Sequence, residues 1–450
     1  MVLLAASWRC VARRPPHTYG PLRPDWATAS RGVSSTRSSR ADAGGDGSGS
    51  GSNDFGVRVW GHGTKGQLGI AKDKLPNKET LMGRLGREKA TSTPTPLPGF
   101  EASGARAVSC GSEFTALVTT DGKLLTTGSN GKKGLLGLGV VEGRERHRLT
   151  EVPALKGVDI VSVACGEQHS VAIDSEGVAY SWGSGGSRWD GAGALGLGDL
   201  EESKFLVPNP TEVTALSSLG AKVAKAQAGG SHTAFLTTDG EVWTCGKGEY
   251  GLCGNGGTED QLTPAPLEAF EEHIIVDVQA GHAFALALTS EGEVFGWGRN
   301  DQGQLGLGGG LTMDVYAAEV LPRPIDALAE EKVVSLGAGY NHATAVTESG
   351  KLFMWGMKRS LEPEWMSALD GQRVIYAACG KWYTAAITDT GALYTIGSGG
   401  TYCLGDGTGG KSQTRNQPGR VKPLSRAEVV HVACGTNHVA AMVASRQPQS

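Results

Sequence analysis

The chain has 450 residues, 42 of them basic and 46 acidic, for a formal net charge of −4. Sixty-nine are glycine, about twice the ordinary share of 7%. That length can bury a large core, the even charge argues against a chain-wide nucleic-acid surface, and no apolar run is long enough to span a bilayer.

The first forty residues differ from the rest. They hold seven arginines, no lysine and one acid, Asp25, among serines and alanines. An arginine-rich, serine-rich, acid-poor start predicts an organelle transit peptide over 1–40. The apolar run from Val2 to Ala6 is too short for a secretory core, and the arginines are dispersed where a nuclear signal would cluster them. Residues 41–54, with their Gly/Ser run from Gly44 to Ser52, predict a flexible linker. Without residues 1–40 the chain keeps 35 basic and 45 acidic residues, a net charge of −10.

One pattern then recurs seven times. Each copy starts at an anchor glycine among small residues: Gly111, Gly166, Gly229, Gly281, Gly339, Gly380 and Gly435. In the first six copies a second glycine follows 11 residues on (Gly122, Gly177, Gly240, Gly292, Gly350, Gly391). A third follows 17 residues on, often as Trp-Gly (Gly128, Gly183, Gly246, Gly298, Gly356, Gly397). The constant spacing predicts a strand ending at the anchor and a second strand of alternating small and β-branched residues. A tight turn such as Asp121-Gly122 or Asp239-Gly240 follows, then a third strand running back to Trp-Gly. A loop next leads to Leu-Gly or Cys-Gly, at Gly69, Gly137, Gly196, Gly254, Gly306 and Gly405; the fifth copy lacks it. Prolines follow in most copies (Pro96, Pro153, Pro210, Pro264, Pro322), where pairing is expected to stop before the next strand.

Three or four short strands per copy, with anchor glycines 41 to 63 residues apart, predict an all-β, seven-bladed propeller over 55–446. The seventh copy, Ala433-Cys434-Gly435-Thr436-Asn437-His438, runs out before its Trp-Gly, and a spare Trp-Gly stands at Val57-Arg58-Val59-Trp60-Gly61. The N-terminal strand is expected to complete the last blade and close the ring, leaving no exposed strand edge.

The chemistry-bearing residues follow the repeat. The eight cysteines include no Cys-x-x-Cys pair. Cys110, Cys165, Cys379 and Cys434 take equivalent positions in different copies, which predicts reduced, buried strand thiols and no metal cluster. His169, His232, His342 and His438 each stand three residues after an anchor glycine, where other copies have Phe114, Phe284 and Tyr383. A position that accepts Phe predicts a packed ring with its nitrogen on a loop carbonyl, not a catalytic or metal-binding group. Gly405 to Lys411-Ser412 fits the phosphate-loop expression, but it falls in the sixth Leu-Gly loop, and Gln413 to Gly419 reads as further loop with no helix to hold phosphate. With no carboxylate pair, activated nucleophile or metal spacing, the expectation is a non-enzyme with no catalytic residue, cofactor or metal.

The run Trp297-Gly298-Arg299-Asn300-Asp301-Gln302-Gly303-Gln304-Leu305-Gly306 and its counterpart from Trp60 to Gly69 resemble the signature of the regulator of chromosome condensation repeat. So do Ala164-Cys165-Gly166-Glu167-Gln168-His169 and Ala228-Gly229-Gly230-Ser231-His232, and the resemblance covers roughly residues 55–445. It implies a seven-bladed propeller that works through protein partners. The best-known member is an exchange factor for a small GTPase, with a wedge in the loop after the second complete Trp-Gly. Here that loop, Gly183 to Gly196, is the longest and carries Arg188-Trp189-Asp190. The family's acidic residue on the preceding loop is matched by Glu167; its acidic residue on the next loop is not, since Ser231 stands there. An ultraviolet-sensing branch stacks several tryptophans from equivalent loops, whereas this chain has Trp382 alone.

A mitochondrial branch is implied by the resemblance together with the transit-like start. Its members are linked to mitochondrial ribosome assembly, RNA handling and a membrane-remodelling GTPase. The expectation is an interaction scaffold in the mitochondrial matrix or on the matrix face of the inner membrane, serving assembly of the mitochondrial ribosome or a respiratory complex. An exchange factor for an organelle or other small GTPase is the alternative. Protein partners are expected through one face, with no membrane span and no direct nucleic-acid binding. The turns after the anchor glycines converge on that face, where Glu167, Arg188, Trp189, Asp190, Lys381 and Trp382 are the predicted partner-binding residues.

Overall fold

The second strand of each repeat is buried along its length, from Phe114–Thr119 and His169–Asp174 to Tyr383–Thr388. A strand covered on both faces has no use for polar alternation, so it reads as small and β-branched residues throughout. In the computed structural model each such strand lies inside an antiparallel sheet, and seven sheets form the blades of a propeller. The structure describes residues 55–79, 87–131, 133–139, 144–187, 191–200, 205–308, 317–407 and 414–444.

Blades 1 to 7 are numbered by their innermost strands: Ala105–Cys110, Ile160–Cys165, Val223–Ala228, Ile275–Ala280, Val333–Ala338, Val374–Cys379 and Glu428–Cys434. Blades 1 to 6 take four strands each, consecutive in the chain except in blade 2, where a two-stranded ladder, Gly186–Ser187 with Gly191–Ala192, falls between the third and fourth. In blade 7, Gly56–His62 pairs antiparallel with His438–Ala444, with Val57 opposite Met442 and Trp60 opposite Val439, and Arg87–Pro96 lies outside it. Phe114, Trp182 and Leu136 share a cluster that spans blades 1 and 2, and Trp60, Tyr383 and Val432 share one that spans blades 6 and 7. The apolar core is thus a set of inter-blade layers.

The anchor glycines stand where blades approach most closely. A Cβ on Gly166 would lie 2.5 Å from the Gly229 carbonyl oxygen, one on Gly339 2.7 Å from that of Gly380, and one on Gly435 2.6 Å from that of Gly111. Any side chain there would push the inner strands apart.

Two local expectations need correction. The prolines do not end pairing. Pro210, Pro264 and Pro322 lie within the outermost strand of their blades, an edge position where a missing N–H breaks no ladder; Pro96 ends Arg87–Pro96, whose other end pairs with Asn77–Glu79, and Pro153 opens a 3₁₀ turn. The stretch after the phosphate-loop look-alike is not loop either: Thr414–Arg420 is the outer strand of blade 6, paired with Leu393–Ser398. Lys411 and Ser412 lie outside the described residues. Among the described residues no helix is long and apolar enough to cross a membrane, and no group of three His, Cys, Asp or Glu could hold a metal ion.

Candidate functional site: the loop face of the ring

The turns after the anchor glycines surround one mouth of the axial channel. All seven anchors line a cavity of about 100 Å³ there. Beneath it lies a cavity of about 190 Å³ walled by the inner strands. The four equivalent cysteines stand between the two and line both. Burial pushes their thiols up, Cys165 to about 12 and Cys379 to about 11, so they are neutral packing groups at neutral pH.

On this mouth, turns from four blades meet. His282 Nε2 lies 2.8 Å from Glu167 Oε2. Glu167 reaches from blade 2 to blade 4 across Gly230, whose missing side chain leaves the path open: a Cβ there would sit 2.4 Å from the His282 carbonyl oxygen. The hydrogen bond from His282 holds the Glu167 carboxyl below its usual range against the opposing effect of burial. The His282 ring stacks on Tyr340 of blade 5 at 3.9 Å, and Tyr340 lies 5.8 Å from the ring of Trp382 in blade 6. Lys381 Nζ sits 4.6 Å over Tyr340 and 5.9 Å from Trp382. Trp382 is 40% exposed. The result is a hydrogen-bonded histidine–carboxylate pair continued by an aromatic row with a cation over it, a surface able to hold both an apolar and a charged group.

Of the six predicted residues, Glu167, Lys381 and Trp382 fall in this cluster. Arg188, Trp189 and Asp190 lie outside the described residues. The stem below them is a short ladder, Gly186–Ser187 with Gly191–Ala192, held to blade 3 by the Asp260 carboxylate, which accepts from the Ala192 and Gly248 amides. His282 and Tyr340 were missed. Their signal was their place in the same set of turns as Glu167 and Lys381.

The loop-face histidines also differ from expectation, because they bond threonine hydroxyls of the next blade and not loop carbonyls. His169 Nε2 is 2.7 Å from Thr233 Oγ1, His438 Nε2 2.7 Å from Thr115 Oγ1, and His342 Nε2 2.9 Å from Thr384 Oγ1. Thr233 and Thr115 donate their own protons to the carbonyls of Ala194 and Gln67, so the histidines must donate from Nε2. Where the next blade has a tryptophan, its indole N–H takes the loop carbonyl: Trp182 on Leu135, Trp297 on Leu252, Trp355 on Gln304, Trp60 on Cys403. The residue before three of those four blades is then Phe114, Phe284 or Tyr383. Interfaces are therefore of a His/Thr or a Phe/Trp kind. His232 is the exception. It faces a tryptophan blade whose threonine position is Ala285, so no hydroxyl meets its ring, and the backbone of Phe284 is the polar group beside it.

The regulator of chromosome condensation (RCC1) repeat model matches residues 57–118, 121–173, 176–236, 239–288, 291–346 and 390–442. The chain belongs to the RCC1 repeat family. Among curated relatives, human E3 ubiquitin-protein ligase HERC2 is 33% identical over 403 residues, 86% of this chain and 8% of HERC2. The mouse secretion-regulating guanine nucleotide exchange factor is 32% identical over 68% of this chain and 61% of its own. The mitochondrial RCC1 domain-containing protein RUG3 of Arabidopsis thaliana is 29% identical over 68% of this chain and 62% of its own. The chain thus spans less than two thirds of each of these relatives. The crystal structure of human WBSCR16 superposes with a TM-score of 0.73 over 87% of this chain and 100% of that one, at 23% identity, a likeness of fold.

Proposed function

We propose that this RCC1-repeat propeller is a non-enzymatic mitochondrial interaction scaffold. In this reading residues 1–40 are a transit peptide, 41–54 a linker, and 55–446 a propeller that serves assembly of the mitochondrial ribosome or a respiratory complex. The observation that carries it is the Glu167–His282–Tyr340–Lys381–Trp382 row, drawn from four blades and left open at Trp382. Tryptophan and charged groups at the centre of a face are the residues that most often dominate protein interfaces. The arginine-rich start and the mitochondrial relative support the compartment.

The test is proximity labelling in intact mitochondria with the wild-type chain and a Lys381→Glu/Trp382→Ala variant, alongside sedimentation of both on a gradient. The expected result is labelling of ribosomal or respiratory assembly proteins, lost in the variant while its melting temperature holds. A chain that never enters mitochondria, or a labelled set the variant leaves intact, would sink the reading. Stimulated nucleotide release from a labelled GTPase would replace it with an exchange factor, the activity named for the secretion-regulating relative.

A further inference from the structure

Blade 5 breaks the rim of the loop face. Three residues separate Gly356 from Ser360, where the shortest of the other six connections between a blade's third and fourth strands, Gly246 to Gln261, has fourteen. The three make a turn closed by the Arg359 amide on the Gly356 carbonyl, and its two central residues, Met357 and Lys358, have φ of 57° and 55°. Asn-Gly is the natural occupant of such a turn, because side chains at positive φ are strained. Here a long apolar and a long basic side chain stand there, both exposed. The missing loop also withdraws the carbonyl that Thr115 and Thr233 bond elsewhere, and leaves the Thr384 hydroxyl with the His342 ring and the Cys379 sulfur.

What the notch uncovers is continuous with the aromatic row. The Met357 amide bonds the carbonyl of Asn341, next to Tyr340, and Trp382 lies against Tyr340. Met357 is 38% exposed. Lys358, Arg359 and Lys381 bring three cations to this edge, on a chain whose residues 41–450 are net negative; the Lys381 charge also acts on the Glu167 carboxylate, while Lys358 and Arg359 have no ion-pair partner among the described residues. We infer that the blade-5 notch binds an acidic peptide segment of a partner protein, its carboxylates on Lys358, Arg359 and Lys381 and an apolar side chain on Met357 and Trp382. Three cations are too few for a nucleic-acid track on an acidic protein, whereas a short peptide matches both the apolar and the basic part.

The inference deepens the scaffold reading and rests on it, and the test separates the two. Random dodecapeptides are selected on the full chain and the recovered peptides measured by fluorescence anisotropy. The expected peptides carry aspartate and glutamate around an aliphatic or aromatic residue. Lys358→Glu/Arg359→Glu and Trp382→Ala each weaken them at least tenfold without lowering the melting temperature. Met357→Gly, which relieves the strained φ, raises the melting temperature and weakens the same peptides. Peptides without acidic bias, or acidic peptides that bind the charge-reversed variant equally, overturn the inference. So does binding of a twenty-nucleotide RNA or of phosphatidylserine vesicles that the charge reversal abolishes while peptides are unaffected. Mitochondrial partners lost with Trp382→Ala but kept by Lys358→Glu/Arg359→Glu overturn the notch and leave the scaffold reading standing.

Discussion

A single substitution, histidine to phenylalanine, should have opposite signs at equivalent positions of this ring. At His232 no threonine hydroxyl meets the buried ring and the next blade presents Trp297 and Ala285, the setting in which other blades carry phenylalanine. His232→Phe removes a poorly satisfied buried group and should stabilise by about 1 kcal/mol. His342→Phe instead strips Thr384 of its partner and should cost about 1–2 kcal/mol. Urea titrations of the two variants read the sign directly, and a shared sign would refute the two-interface rule. The same histidines set the acid response. Burial drives His169 and His342 down to about 4, and His232 and His438 to about 3. An unfolded histidine titrates near 6.5, so between there and about 4 the unfolded chain binds more protons than the folded one. The contribution of these groups is fully present above pH 6.5 and declines as pH falls, by about 1.4 kcal/mol per pH unit for each histidine. His232→Phe should flatten that slope by one proton, measured as stability against pH from 7 to 5.

The repeat elements themselves were legible, because the glycine spacings fix hairpins whatever fills them. What stayed hidden couples one blade to the next. Gly306 is followed in space by Trp355, whose Nε1 would lie 2.9 Å from a Cβ there, and Gly405 is followed by Trp60 at 2.8 Å. Four of the six such loops, at Gly137, Gly254, Gly306 and Gly405, seat the next blade's indole, while those at Gly69 and Gly196 face Thr127 and Cys245. The fifth copy has no such loop, and the blade after it carries Ile396 in place of tryptophan. Both facts stand in the sequence, but they are connected only once the order of packing is known. The face shows the same limit: Glu167, Lys381 and Trp382 could be picked by residue type, while His282 and Tyr340 gain their meaning from stacking across blades. A paired substitution isolates the seating effect. Gly99 and Gly306 both have positive φ, at 84° and 70°, but a Cβ on Gly99 meets nothing within 4 Å. Gly99→Ala should cost about 1 kcal/mol, the backbone strain alone. Gly306→Ala should cost about 2–4 kcal/mol, since it also displaces Trp355 from the Gln304 carbonyl. Equal melting of the two would show that the loop glycines serve the turn and not the indole.

At the scale of the whole ring, an odd number of blades constrains the design. The Phe/Trp and His/Thr interfaces alternate from blade 4 round to blade 3, and seven interfaces cannot alternate without one break, which falls at His232. The other joint of interest is blade 7, whose sheet is shared by Gly56–His62 and His438–Ala444 from opposite ends of the described chain. Trp60 is fully buried there, donates to the Cys403 carbonyl at 2.8 Å, and packs with Tyr383 and Val432. Loss of that strand would strand Arg87–Pro96 without its pairing partner, expose the edge of His438–Ala444, and leave the Gly405 loop with no indole to receive. Deleting residues 1–52 should leave the melting temperature nearly unchanged, because the deletion stops short of this strand. Deleting residues 1–62 should cost at least the 3–5 kcal/mol typical of removing one buried Trp, and should bring concentration-dependent association through the open edge. Light scattering beside thermal melts of the two truncations decides it: if both remain monomeric and melt together, the N-terminal strand is an ornament on a ring that holds without it.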